Sequence, residues 1–450
     1  ARPLEGTPPA MRLLSPALAA IGIAAGLMPA TSAAPKDDAP AITWKKTVLD
    51  TKFRSEGVAV ADVNKDGKID VLNGEYWYAA PDWAPHELQP PKDHHAATEG
   101  GLKGYSRVFA CWAEDLNADG YPDLIVIAFP GEPCYWMENP KGKATGDDGK
   151  PLHWKKHTVW HSACNETPLY TELTEKGKRV LVMGFQPPGK GNEGQMAYFT
   201  PNPKDPTALW QMHPLSAPSV PAEVKDGKPV PKTGAEVPGT QRFSHGLGVG
   251  DVNGDGRLDV ITTGASTGGA GAWWEQPEKA DGTTPWKQHP LNVGDACADL
   301  FAYDVDGDGK NDILGTSAHR FGIWYWKQRA ADKDASPTFQ KVDLFPKLVS
   351  ETHAAHFKDV DGDGRPDLIT GKRWWSHGKS EPGSDGPAAM YWLKNTKGAD
   401  GITKFTPMTI DLDSGIGTQF EVTDINGDGL LDVVSSNKKG TRVIVQERKK

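Results

Sequence analysis

The chain has 450 residues, 37% of them hydrophobic and 24% charged, with a formal net charge of −9. This composition fits a folded core rather than a disordered chain, and the acidic balance argues against a nucleic acid partner, because phosphate binding needs a basic face. The 50 glycines and 37 prolines imply many turns and therefore many short strands.

At the amino end, Met11 and Arg12 open the run LLSPALAAIGIAAGLM, which is apolar but too short to span a membrane and is followed by Thr31-Ser32-Ala33. Residues 11–33 therefore read as a signal peptide cleaved after Ala33, and residues 1–10 as mis-called upstream sequence. The mature chain is then expected to be secreted or periplasmic, with no transmembrane segment. Cys111, Cys134, Cys164 and Cys297 allow three full pairings, and the absence of CxxC argues against a thiolate zinc site.

One motif then recurs along the chain. It reads DVNKDGKID from Asp62, DLNADGYPD from Asp115, DVNGDGRLD from Asp251, DVDGDGKND from Asp304, DVDGDGRPD from Asp359 and DINGDGLLD from Asp424. Most intervals are 53 to 65 residues, and the long gap after Asp115 holds a degenerate copy, ELTEKGKRVLVMG from Glu172. Six intact copies and one without the ligand aspartates make seven repeats.

The side-chain oxygens at positions 1, 3, 5 and 9 suit a hard cation, with glycine at position 6 for the sharp turn. Six structural calcium sites are expected. Their ligands would be Asp62, Asn64, Asp66 and Asp70; Asp115, Asn117, Asp119 and Asp123; Asp251, Asn253, Asp255 and Asp259; Asp304, Asp306, Asp308 and Asp312; Asp359, Asp361, Asp363 and Asp367; and Asp424, Asn426, Asp428 and Asp432. An EF-hand would need glutamate at position 12, where these copies carry Asn73, Val126, Thr262, Gly315, Thr370 and Ser435.

Each motif lies between two apolar runs, followed by an aromatic strand (CYWMEN, AWWEQP, IWYWKQ) and a fourth often carrying Trp and His (HWKKHTV, PWKQHPL). Four antiparallel strands repeated about an axis predict an all-β, seven-bladed β-propeller over residues 42–449. The last repeat ends at its third strand, TRVIVQE, and ITWKKTVLD at 42–50 supplies the missing fourth, closing the ring. The cation loops then occupy one face. Longer connections occupy the other, including insertions at 217–239 and 376–387.

Aligning the repeats brings Glu56, Phe109, Glu166, His245, Ala298, His353 and Thr418 to one level at that second face. The second strands emerge there with Glu75 and Trp77, His319, the run Lys372-Arg373-Trp374-Trp375, and Asn437-Lys438-Lys439. His245, His353, His319, Glu166, Lys372 and Arg373 are the candidate catalytic groups. Glu56, Trp77, Trp374, Trp375, His377, Gln419 and Lys438 are candidates for substrate binding, with Trp374 and Trp375 as a sugar-stacking platform. Glu56, Glu166, His245 and His353 could instead hold a second metal, zinc or manganese.

The motif set resembles the FG-GAP/VCBS repeat family of seven-bladed propellers over residues 42 to 449. The segments RFSHGLGVGDVNGDGRLDV, ETHAAHFKDVDGDGRPDLITGKRWWSHG and SGIGTQFEVTDINGDGLLDVV are also similar to the propeller domain of aldos-2-ulose (anhydrofructose) dehydratases. That kinship implies metal-assisted elimination of water from a keto sugar. The expected partner is accordingly a carbohydrate or small molecule. The competing expectation is a propeller that binds a glycan or a protein without catalysis.

Overall fold

The computed structural model describes residues 41–94, 104–187, 194–219, 223–225, 228–230, 237–263, 271–293, 295–329, 337–378 and 380–449. The signal-peptide reading falls outside them. The described residues are all strand, turn and loop, with no helix long and apolar enough to cross a membrane.

Each repeat folds as a four-stranded antiparallel meander. In the second these strands are Ala110–Glu114, Asp123–Ile127, Cys134–Glu138 and Lys155–Trp160. The expected order of one inner strand, a loop, then three strands outward is present in every repeat, the loop being acidic in the six intact copies, and the molecule is a β-propeller. The strand Ile42–Asp50 pairs antiparallel with Gly440–Arg448, Ile42 opposite Arg448 and Thr47 opposite Val443. The amino-terminal strand thus completes the last sheet.

Seven separate sheets were expected, and here the structure differs. Five meanders stand as separate four-stranded sheets, while the fourth and fifth form one eight-stranded sheet. Their inner strands, Leu247–Gly250 and Cys297–Tyr303, pair in parallel at Gly248 and Leu300. The glycines explain the contact: a Cβ at Gly248 would collide with the Leu300 carbonyl, and one at Gly250 with the Ala302 side chain. Without side chains there, two backbones approach to bonding distance.

The core lies between meanders. Trp136 and Ile125 of the second pack with Phe199 and Leu181 of the third. Val58 and Val71 of the first pack with Val434 and Val443 of the last. The third and fourth strands add a repeated pair: Trp77 on His86, Trp136 on His157, Tyr198 on His213 and Trp273 on His289, directly opposite in register, with ring centroids 4.1–4.6 Å apart. These rings are blade packing. Trp77, expected at a binding site, is 2% exposed and belongs to this layer. All four cysteines are buried and unpaired.

Candidate active site

The acidic loops join inner to second strands, so the starts of inner strands and the ends of second strands meet at the opposite face. His245 stands just before the inner strand Leu247–Gly250, and His353 just before Ala355–Lys358. His319 follows the second strand Asp312–Ser317. Their ring centroids are 4.7 Å (His245–His319), 5.1 Å (His245–His353) and 5.2 Å (His319–His353) apart. One nitrogen from each lies within 4.8 Å of the others.

Hydrogen bonding fixes which nitrogens are bare. His353 Nδ1 is 3.3 Å from the Glu351 carbonyl, and His319 Nδ1 is 3.0 Å from Glu381 Oε1. Both partners can only accept, so both Nδ1 atoms carry the proton and both Nε2 atoms present a lone pair. His353 Nε2 has no hydrogen-bond partner, and His245 Nε2 lies 3.6 Å from Glu166 Oε2, beyond hydrogen-bond distance. Burial holds His245 below the usual imidazole range, and burial with the nearby Arg373 charge holds His353 well below it. Neutral, converging imidazoles with carboxylate and carbonyl partners behind them are the donor set of a divalent metal such as zinc. Three side chains fit that ion and leave a coordination position open.

The carboxylates expected beside these histidines are held by Arg373, although Glu166 stays within 3.6 Å of His245. Arg373, 1% exposed, donates from Nη1 to Glu166 Oε2 at 2.7 Å and from Nη2 to Glu56 Oε2 at 2.5 Å. Burial would raise the Glu166 carboxyl, but Arg373 and His245 hold it well below its ordinary value. Arg373 is therefore a buried brace between the first, third and sixth repeats. Lys372 donates to the Gly383 carbonyl and anchors the insertion.

Above the histidines opens a cavity of about 1040 Å³. One wall is aromatic: Tyr105, Phe109, Phe129 and Phe243, with neighbouring centroids 5.4–6.0 Å apart. The lining also carries His319, His377 and Glu381. His377 Nδ1 lies 2.6 Å from the Glu381 oxygen that also receives His319. Burial alone would raise Glu381, but those two hydrogen bonds bring it down to about 2. Lys438 lines the cavity with its ammonium 4.4 Å from the Tyr105 ring centre, and burial pushes it down to about 8.

Of the groups expected at this face, His245, His319, Glu166, His377 and Lys438 line the cavity, and His353 joins the triad from beneath. Glu56, Lys372 and Arg373 lie behind it. Trp374 and Trp375 are outside its wall: they stack on each other at 4.8 Å, Lys439 covers Trp374, and Trp375 Nε1 donates to the Ser384 carbonyl. Gln419 is tied between repeats, accepting from the Val58 N–H and donating to Glu421.

Glu351, Glu381, Tyr105, Phe129 and Phe243 were missed. Glu351 is fully buried with both carboxyl oxygens unpartnered, and burial pushes it up to about 7. It and Phe243 have positive φ (59° and 65°), a strained state for non-glycine residues that clusters at functional sites. The available signal was position: both lie eight residues ahead of a motif.

At the other face, the first aspartate of each intact loop accepts from the backbone of the fifth and sixth residues, as Asp62 does from Asp66 and Gly67. The sixth-position glycines have φ of 83–88°, which excludes most side chains. Loop oxygens such as those of Asp359, Asp361 and Asp367 lie within 4.8 Å of one another, a fit for calcium. The ninth aspartate also has a second task. Asp70 accepts the Val63 N–H at one oxygen and the Ala80 N–H at the other, and Asp123, Asp259, Asp312, Asp367 and Asp432 repeat this clamp.

The FG-GAP-like repeat family model matches residues 251–315, 304–370 and 359–435. No curated protein matches the chain. Among solved structures, the PQQ-bound form of aldose sugar dehydrogenase (Adh) from Streptomyces coelicolor is 12% identical, covering 91% of this chain and 100% of its own, with a TM-score of 0.31. YCF48 from Cyanidioschyzon merolae is 12% identical over 90% of this chain and 99% of its own, with a TM-score of 0.38. At those values neither bears on chemistry. Residues 251–435 of this β-propeller are FG-GAP-like repeats.

Proposed function

We propose that this protein is an exported, calcium-stabilised propeller whose His245–His319–His353 centre holds a divalent metal and eliminates water from a keto sugar in the cavity above. The observation that carries this reading is the convergence of two buried imidazoles and one part-buried one, with nitrogens free of hydrogen bonds, beside a cavity of sugar-binding size. A divalent ion there would act as a Lewis acid toward a carbonyl oxygen. His377 is the accessible base of this cavity: Glu381 holds its Nδ1 proton, which leaves the Nε2 lone pair to take the proton beside the carbonyl, and the same proton goes from His377 to the departing hydroxyl, which leaves as water while the C=C bond forms. The aromatic wall holds the apolar face of the sugar and excludes water. Glu381 orients His319 and His377 together.

Metal analysis of the purified chain, followed by incubation of keto sugars with it, tests the reading. The expected result is one transition metal per chain in addition to calcium, and an ultraviolet-absorbing enone. Replacing His319 and His353 with alanine should remove both and leave calcium bound. No transition metal retained, and no enone with zinc or manganese supplied, would overturn it. The aromatic wall favours one second reading, a propeller that binds a glycan without changing it; ligand binding with no product in the same assay would support that.

A further inference from the structure

Ion pairing around the cavity is lopsided. Four acids line it. Glu166 is held by Arg373, Glu381 by His319 and His377, and Asp295 by Lys341 at 2.9 Å. The fourth, Asp343, is exposed on an outer strand. Lys438 is different: it is 4% exposed, yet it makes no hydrogen bond or ion pair with any described residue. Its ammonium faces the Tyr105 ring at 4.4 Å and the Phe53 ring at 5.9 Å. An ammonium largely withdrawn from water, with no paired anion, is costly, and aromatic faces offset only part of that.

The metal reading adds to the imbalance. Neutral imidazoles leave the charge of a divalent ion met only by Glu166, whose carboxylate is 3.6 Å from His245 Nε2 and already paired with Arg373, so its open position also favours an oxyanion. Both unsatisfied positive centres border one cavity, and the wall next to Lys438 is the aromatic one, beginning at Tyr105. The complementary ligand has one apolar ring face, hydroxyls, and a single negative charge.

We propose that the ligand of this cavity is an acidic sugar, a hexuronate or aldonate, whose carboxylate seats on Lys438 while its oxygens meet the histidine centre. This inference rests on the metal reading of the triad. The carboxylate, rather than a phosphate, follows from the one ammonium beside the aromatic wall: of the other cations in the lining, Lys341 is paired with Asp295 and Arg320 is exposed, so a dianion on Lys438 would leave most of its oxygens without donors.

The test is calorimetric titration of the full chain, metal content measured on the same sample, with D-glucuronate, D-galacturonate and D-gluconate. D-Glucose, D-galactose and glucose 6-phosphate are the comparisons. At least one acid should bind ten-fold or more tightly than its neutral counterpart. Lys438→Met should abolish that preference, and Lys438→Arg should keep part of it. The wild-type comparison needs no variant, so a misfolded Lys438→Met does not block it. Equal binding of acidic and neutral sugars, tighter binding of the phosphate, a preference unchanged in a folded Lys438→Met, or no binding of any sugar would each overturn the proposal. A chain that holds its transition metal yet shows no acid preference refutes this inference alone; a chain with none refutes the metal reading.

Discussion

Asp299 shows how one side chain couples the axis of this fold to pH. It sits on the inner strand Cys297–Tyr303, accepts the Ala355 N–H at Oδ2 (3.0 Å), and leaves Oδ1 sealed from solvent without a partner. Burial pushes its carboxyl up to about 7. An unfolded aspartate loses its proton near pH 4. Between those values the native state holds more protons than the unfolded state, so stability falls as pH rises from about 4 to about 7 and is level above. Asp299→Asn keeps the acceptor and removes the charge. It should stabilise the protein at pH 8 by roughly 1–2 kcal/mol, less than the full shift because the side chain is only part-buried. At pH 4 the gain should vanish. Urea unfolding at both values checks this, and an equal gain at both would show that the charge is irrelevant. The histidines teach a related lesson. His86, His157, His213 and His289 lie against aromatic rings opposite them in register, whereas His245, His319 and His353 stand just outside strand ends, where no ladder residue stands opposite them.

At the scale of the element, the acidic loops differ in charge and the blades correct for it. Four loops have asparagine at the third position; the loops from Asp304 and Asp359 have aspartate, Asp306 and Asp361. In those two, a lysine of the third strand reaches the extra carboxylate: Lys327 pairs with Asp306, and Lys394 with Asp361 at 3.0 Å. Where the third residue is asparagine, the matching strand position carries Ala79, Glu138, Glu275 or Val445. Lys327→Met should therefore lower the thermal midpoint in EDTA, through repulsion among Asp304, Asp306 and Asp308, and tighten calcium binding at that loop. A calcium titration followed by melting reads both effects; unchanged calcium affinity would argue that the lysine plays no part in charge balance.

The elements were legible because strand alternation and a fixed loop repeat in register, so each copy reinforces the others. The convergence of His245 and His353 was legible for the same reason, both standing six residues ahead of a motif. Connections are not periodic. The chain's direction after Arg373 is not set by the repeat, so alignment makes Trp374 and Trp375 a platform at the second face when they pack on each other and beside Lys439 instead. Glu381 and Tyr105 lie in connections, with no counterpart in other repeats to bring them into line. The union of the fourth and fifth sheets depends on missing side chains at Gly248 and Gly250, which a pattern of apolar residues does not register.

For the whole molecule, closure depends on nine residues. The strand Ile42–Asp50 covers the edge of Gly440–Arg448, and Ile42 and Trp44 pack against the layer between the sixth and seventh meanders. Removing residues 42–50 would leave an open, unpaired edge, a template for pairing between molecules. The truncated chain should melt at lower temperature and elute as larger species in size-exclusion chromatography; a monomer with an unchanged midpoint would mean that the seam is not what holds the ring. The parallel bridge at Gly248 and Leu300 acts in the other direction. His245 and His319 ride on the one sheet it creates, like two jaws cast in a single block, while His353 is mounted on the next. Thermal breathing of the wheel can then alter the three-cornered grip chiefly by shifting one corner.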